Sequence, residues 1–251
     1  MDFNLPEEVT SLVEMTRKIV ADVSKYEAEF HQTGKVPQAV YDVFKDTGFF
    51  GLSFSEENGG LGVGLLATVC VQAELAHLPP QFWAGVKSSQ GPQSRIIETF
   101  GSERMREENL PAIIAGDLVV SFALSEPHCG SDVSAIRTNA RRSGDGWVLN
   151  GAKTYISNGF LAGLVLVAAR TNPAASHEIG LFLVEDGMEG FARGRNLKKL
   201  GLESQDTAEL FFDNVKVPKE NLLGAEGMGF IALMKELAWE RMMIAIICAS
   251  S

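Results

Sequence analysis

Two stretches decide the reading of this chain: Ser125-Glu126-Pro127-His128-Cys129-Gly130-Ser131-Asp132 and Asn150-Gly151-Ala152-Lys153-Thr154-Tyr155-Ile156-Ser157-Asn158-Gly159. Each follows an apolar, strand-like run, and each is crowded with Gly, Asn and short hydroxyls. Such loops bring backbone N–H groups close to a polar, planar or phosphorylated ligand, because Gly permits a tight approach and positive φ. They therefore mark the ligand-facing end of a β region.

Outward from these loops the pattern of short apolar runs continues. Leu118 to Leu124, Trp147 to Asn150, Leu164 to Arg170, Ile179 to Val184 and Ala208 to Phe212 read as strands. Ser143-Gly144-Asp145-Gly146 reads as a hairpin turn. No helical pattern alternates with these runs, so an antiparallel barrel or sandwich is expected rather than a βαβ sheet. Upstream the period is helical. Val9, Leu12, Val13, Ile19, Val20 and Val23 share one face, and Pro6-Glu7-Glu8 suits a first turn. A second helix runs through Val40, Val43 and Phe44 to Gly48. A third runs from Leu65 through Ala76, closed by Pro79-Pro80. Others pass through Ile96, Ile97 and Phe100, and briefly beyond Ser102. From Gly227 the helical period returns through Phe230, Leu233, Met234, Leu237, Arg241, Ile244 and Cys248, and it still runs at Ser251. The expected fold class is α+β, in three parts. Residues 1–116 form an all-α domain, 117–225 a central antiparallel β domain, and 226–251 the start of a C-terminal helical bundle.

The 251 residues carry a formal charge of −10, which argues against nucleic acid as a partner. Cys70, Cys129 and Cys248 have no metal-site spacing and cannot all pair, which suggests a reducing compartment. The first ten residues lack the apolar stretch of a signal peptide, and no apolar run is long enough to span a bilayer. A soluble, cytoplasmic protein is expected, or one of the mitochondrial matrix if eukaryotic, although no transit peptide is seen. Gly60-Leu61-Gly62-Val63-Gly64 imitates a dinucleotide loop, but Ser53, Ser55, Glu56, Glu57 and Asn58 stand where the buried strand should be. His31, His77, His128 and His177 are scattered without ligand spacing, so no metal is expected. A Gly-x-Ser-x-Gly elbow and a Walker loop are both missing.

The two loops, in this order, resemble the acyl-CoA dehydrogenase family. The resemblance extends through Leu110-Pro111 to Gly116, through Gly201-Leu202-Glu203-Ser204-Gln205-Asp206-Thr207-Ala208-Glu209-Leu210-Phe211-Phe212, and through Asn221-Leu222-Leu223-Gly224. Met234-Lys235-Glu236-Leu237-Ala238-Trp239-Glu240-Arg241 looks most like the long-chain branch. It implies FAD-dependent dehydrogenation of a fatty acyl-CoA to the trans-2-enoyl-CoA, electron-transfer flavoprotein as acceptor, and a homotetramer or hetero-oligomer. Relatives of the same fold include acyl-CoA oxidases and flavin monooxygenases, and a truncated, non-catalytic subunit is a further reading. Family members continue beyond the point where this chain stops. A polypeptide of residues 1–251 alone is therefore expected to aggregate and to bind FAD poorly.

By the resemblance, Phe122, Leu124, Ser125, Gly130 and Ser131 hold the flavin together with Tyr155, Ile156 and Ser157. Ser157 is expected at flavin N5 and the Tyr155 ring over the isoalloxazine. Ser131, Ser176, His177, Ile231, Ala238 and Arg241 are expected on the acyl-CoA. Glu240 is the expected catalytic base. Without the family match it would read as a surface or paired carboxylate, whereas apolar surroundings would raise a carboxyl toward the range of a general base.

Overall fold

The computed structural model describes residues 4–172, 174–175 and 178–251. The amphipathic faces read from the sequence become helices α1 (Glu7–Ser24), α3 (Gln38–Asp46), α4 (Leu65–Leu75) and α6 (Pro92–Phe100). In α1 the buried residues Val9, Val13, Thr16, Ile19 and Val23 recur every three or four positions and pack against α4. Gly48, at φ 72°, ends the turn after α3 at a conformation that costs a larger residue strain.

Helix α2 (Glu27–Thr33) is too short to show a period, and the sequence reading lacks it. Pro79-Pro80 was expected to close a helix; instead α4 stops at Leu75 and Pro80 opens α5 (Pro80–Ser89). Proline suits a first helical position because its missing N–H has no partner there in any case. The segment beyond Ser102 is longer than expected. It forms α7 (Glu103–Ile114), capped by the Ser102 hydroxyl, which accepts from the Met105 amide, with Pro111 inside the helix.

The central strands form one sheet: β1 (Val120–Ala123), β2 (Asn139–Ser143), β3 (Gly146–Ser157), β4 (Leu164–Arg170), β5 (Ile179–Glu185), β6 (Phe191–Asn196), β7 (Thr207–Val217) and β8 (Leu222–Leu223). The order is β6-β7-β3-β2-β4-β5-β8, with β1 also on β4. Pairing is mostly antiparallel, as expected, but β1 lies parallel to β4, and β2 joins β4 at Asn139↔Arg170 in the same sense. β1 and β2 therefore meet the same neighbour, and residues 124–138 are an excursion between them. β2 and β6 escape sequence reading because charged residues in Asn139-Ala140-Arg141-Arg142-Ser143 and Phe191-Ala192-Arg193-Gly194-Arg195-Asn196 dilute the apolar alternation.

β4 is buried on both faces. Leu164, Leu166 and Ala168 join a core with Ile96, Ile97, Leu110, Ile113 and Leu233. Val165, Val167 and Ala169 join a second with Trp147, Leu149, Phe182 and Val215. This double burial explains the unbroken apolar run in β4. Helix α8 (Gly229–Ser250) packs on α4, α6 and β5. It buries Ala232, Leu233 and Met243 but leaves Ile231, Met234 and Ile244 exposed. Among the described residues, no helix is long and apolar enough to cross a membrane.

Candidate active site

The loop of residues 124–138 is held from beneath by one buried ion pair. Lys153 Nζ stands 2.8 Å from Glu126 Oε1, and its side chain is 0% exposed. The same ammonium donates to the Leu124 carbonyl at 2.9 Å. Glu126 also accepts from the Arg137 amide at 2.7 Å and the Thr138 amide at 3.0 Å. One carboxylate thus gathers both ends of the excursion onto β3. Gly151 permits the approach: a Cβ there would lie 2.4 Å from Thr138 Oγ1. Burial alone would push the Glu126 carboxyl up, but the Lys153 charge and these hydrogen bonds outweigh it and hold the group below 4.5. Neither Glu126 nor Lys153 was singled out from sequence. A signal existed: Lys153 occupies the inward phase of Trp147, Leu149 and Gly151, where a charge demands a buried partner.

Glu126, His128 and Cys129 bring a carboxylate oxygen, a ring nitrogen and a sulfur within 4.8 Å of one another. Lys153 and the two amides already occupy the carboxylate, a poor donor set for a cation. Burial, then the neighbouring carboxylate, pushes the Cys129 thiol up, away from the thiolate that metals bind.

The ends of β1 and β3 open onto a cavity of about 560 Å³, whose other walls are α5, the start of α6, residues 202 and 205, and α8. Phe122, Leu124 and Ser125 line it from β1 and the turn that follows; Tyr155, Ile156 and Ser157 line it from β3. Tyr155 is 72% exposed, with φ 58°, and Asn158 follows at φ 59°. The chain turns sharply here and presents the ring and both polar side chains outward. Asp206 fixes this turn by accepting from the Phe160 amide at 2.7 Å, while its own carbonyl accepts from the Asn158 amide. Asn158 Nδ2 donates to Ser88 Oγ at 2.7 Å, tying the turn to α5.

Helix α8 contributes Leu237, Glu240, Ile244, Ile247 and Cys248, at the spacing of one helical face. Glu240 therefore shares one cavity with Ser125 and Ser157, although 83 residues or more separate it from them in sequence. Its surroundings are less apolar than expected, since Lys87 of α5 reaches within 3.8 Å of Oε1. Gly130 and Ser131 are exposed on the loop, and Ile231, Ala238 and Arg241 are exposed on α8; none of the five lines the cavity. Ser176 and His177 lie outside the described residues.

The cavity fits a flat, polar-edged ligand. Phe122, Leu124 and Ile156 give it apolar walls, and Ser121 Oγ and Trp83 Nε1 are buried on its lining with no hydrogen-bond partner among the described residues. Buried donors normally find partners, so these two are available to a bound group.

Residues 6–117 match the family model described as acyl-CoA dehydrogenase, N-terminal domain, and residues 121–215 that described as acyl-CoA dehydrogenase, middle domain. The whole chain superposes on the crystal structure of acyl-CoA dehydrogenase from Geobacillus kaustophilus with TM-score 0.88 and 35% identity, covering 67% of that chain. The chain belongs to the acyl-CoA dehydrogenase family. The long-chain specific acyl-CoA dehydrogenase of Mus musculus mitochondria is 39% identical over 241 residues, which are 92% of this chain and 54% of the mouse protein. This chain thus spans about half the length of that relative. It also matches, at 33% identity and TM-score 0.92, a chain from the structure described as the electron transferring flavoprotein of Acidaminococcus fermentans, covering 66% of it.

Proposed function

We propose that this protein dehydrogenates a fatty acyl-CoA thioester at the α,β bond, with Glu240 as the base. The observation that carries the proposal is the single cavity joining Ser125, Tyr155 and Ser157 to Glu240. FAD, the cofactor this fold would hold there, supplies a two-electron acceptor for the β-hydrogen when bound. Ser125 and Ser157 offer hydroxyls to its polar edge, and Ser121 and Trp83 offer their unpartnered polar atoms. The Tyr155 ring, which lines the cavity, would cover the bound group and shield it from water. Glu240 takes the α-proton onto its carboxylate. A dry, hydrogen-bonded setting for the thioester carbonyl makes that proton acidic enough for a carboxylate to remove.

The same reading takes residues 1–116, 117–225 and 226–251 as the parts that close around the cavity. It takes an electron-transfer flavoprotein as acceptor, which the match to the Acidaminococcus structure supports, and a homotetramer in the cytoplasm or the mitochondrial matrix. Similarity to the mouse enzyme supports a long acyl chain. In this reading the exposed Gly130 and Ser131 meet the outer part of the nucleotide, and Ser131, Ser176 and His177 are assigned to the acyl-CoA.

The test is anaerobic titration of the FAD-loaded protein with acyl-CoA, followed by flavin absorbance. Glu240→Gln keeps size and polarity and removes only the basic carboxylate, so FAD should still bind while bleaching nearly ceases. A variant that bleaches at the parental rate removes Glu240 from the mechanism.

A further inference from the structure

Lys87 spans the gap between α5 and α8. Its Nζ lies 3.8 Å from Oε1 of Glu240, and both side chains line the cavity. Among the described residues Glu240 has no other ion-pair partner, and Lys87 meets no other carboxylate. The remaining charges around this stretch of α8 are committed elsewhere. Arg95 of α6 donates to Glu236 at 2.8 Å, one turn before Glu240, and covers the Trp239 ring at 4.2 Å. Arg241 is exposed and does not line the cavity. Arg95 therefore sets the rotation of α8, and Lys87 is the cation left to act on the carboxylate itself.

We propose that Lys87 is a positioning residue for Glu240, drawing Oε1 toward α5 and leaving the second oxygen to meet the α-proton. The proposal rests on the reading of Glu240 as the base. A free Glu side chain on a helix samples several rotamers, and a misplacement of about 1 Å at a reacting group costs up to about a hundredfold in rate. A single-oxygen contact suits this task, because a bidentate partner would leave no oxygen for chemistry. The pair is also too open to hold the fold: side-chain exposure is 37% for Lys87 and 25% for Glu240, and such pairs add little to stability. Removing Lys87 should therefore separate positioning from folding.

The experiment compares Lys87→Met, Lys87→Gln and Lys87→Arg with Glu240→Gln in the FAD-loaded full chain. It reads flavin content, thermal midpoint, and the rate and concentration dependence of flavin reduction by a saturated acyl-CoA. Lys87→Met and Lys87→Gln should lower the maximal rate about fivefold to tenfold while half-saturation and flavin content hold. Lys87→Arg should recover most of the rate, and on the Glu240→Gln background Lys87→Met should add nothing. If Glu240→Gln reduces normally, the base assignment fails and Lys87 positions nothing. If Glu240→Gln is inert while both neutral Lys87 variants keep the parental rate, the base stands and the positioning proposal is overturned. Flavin loss in both neutral variants without rescue by Lys87→Arg also overturns it.

Discussion

At the residue scale, Glu126 and Lys153 stand out, because they hold the loop whose first residues, Leu124 and Ser125, line the cavity. Breaking a buried ion pair leaves an uncompensated charge and costs about 3–5 kcal/mol. Glu126→Gln should therefore lower stability at neutral pH by that order, read by denaturant unfolding. The pH dependence follows from the depressed carboxyl. A group whose folded pKa lies below its unfolded value stabilises the fold above the unfolded value, and that stability fades as pH falls through the folded one. Parental stability should thus decline as pH falls below about 4.5, and the gap to Glu126→Gln should narrow there. A gap of constant size down to strong acid would mean that Glu126 titrates alike in the folded and unfolded chain, so that Lys153 does not favour its charged form. Ser157→Ala is a second prediction at this scale. One hydrogen bond is worth about 1 kcal/mol, so the variant should shift the flavin band and its potential modestly. An unchanged spectrum and potential would return Ser157 to turn chemistry.

At the element scale the decisive contact is α6 on α8. Arg95 joins the two through Glu236 and Trp239, and Glu236 is buried. Replacing Arg95 by Met keeps much of the apolar stem but strands the Glu236 carboxylate. The expected loss is about 3 kcal/mol, within the range for breaking a buried pair, and the variant should also reduce flavin more slowly because α8 carries Glu240. Replacing both residues, Arg95→Met with Glu236→Leu, should recover part of the stability, since an apolar pair of similar volume is tolerated. Equal melting curves for Arg95→Met and the parent would show that α8 is set by its apolar face alone.

At the scale of the whole molecule, the cavity draws its walls from α5, α6, β1, β3 and α8. A ligand seated there contacts every layer of the fold and binds the native state alone. FAD at a hundred times its dissociation constant should then add about 2.7 kcal/mol. For a chain of this size that raises the thermal midpoint by several degrees, at about 2–4 °C per kcal/mol. FMN and AMP, the two halves of the cofactor, should give smaller shifts. No shift with FAD, at a concentration where absorbance shows it bound, would mean that the flavin binds without need of the folded cavity.

The sequence by itself determined the order of the parts: helices with clear apolar faces, then short strands and turns, then the last helix. Local periodicity and turn residues carry that information along a few residues of chain, so α1, α3, β4 and β5 were legible in it. It also marked the two loops and, through family resemblance, Glu240. Signals that are not local stayed hidden. Charges diluted the alternation of β2 and β6, and Pro80 read as a stop when it was a start. Lys153 was not singled out, and its burial became evident only when β3 ran from Gly146 to Ser157. Only the tertiary structure decided the parallel contact of β1 with β4, the burial of Glu126 against Lys153, and the meeting of Glu240 with Lys87. Each depends on chain segments dozens of residues apart arriving at one place, and no local preference encodes a distance.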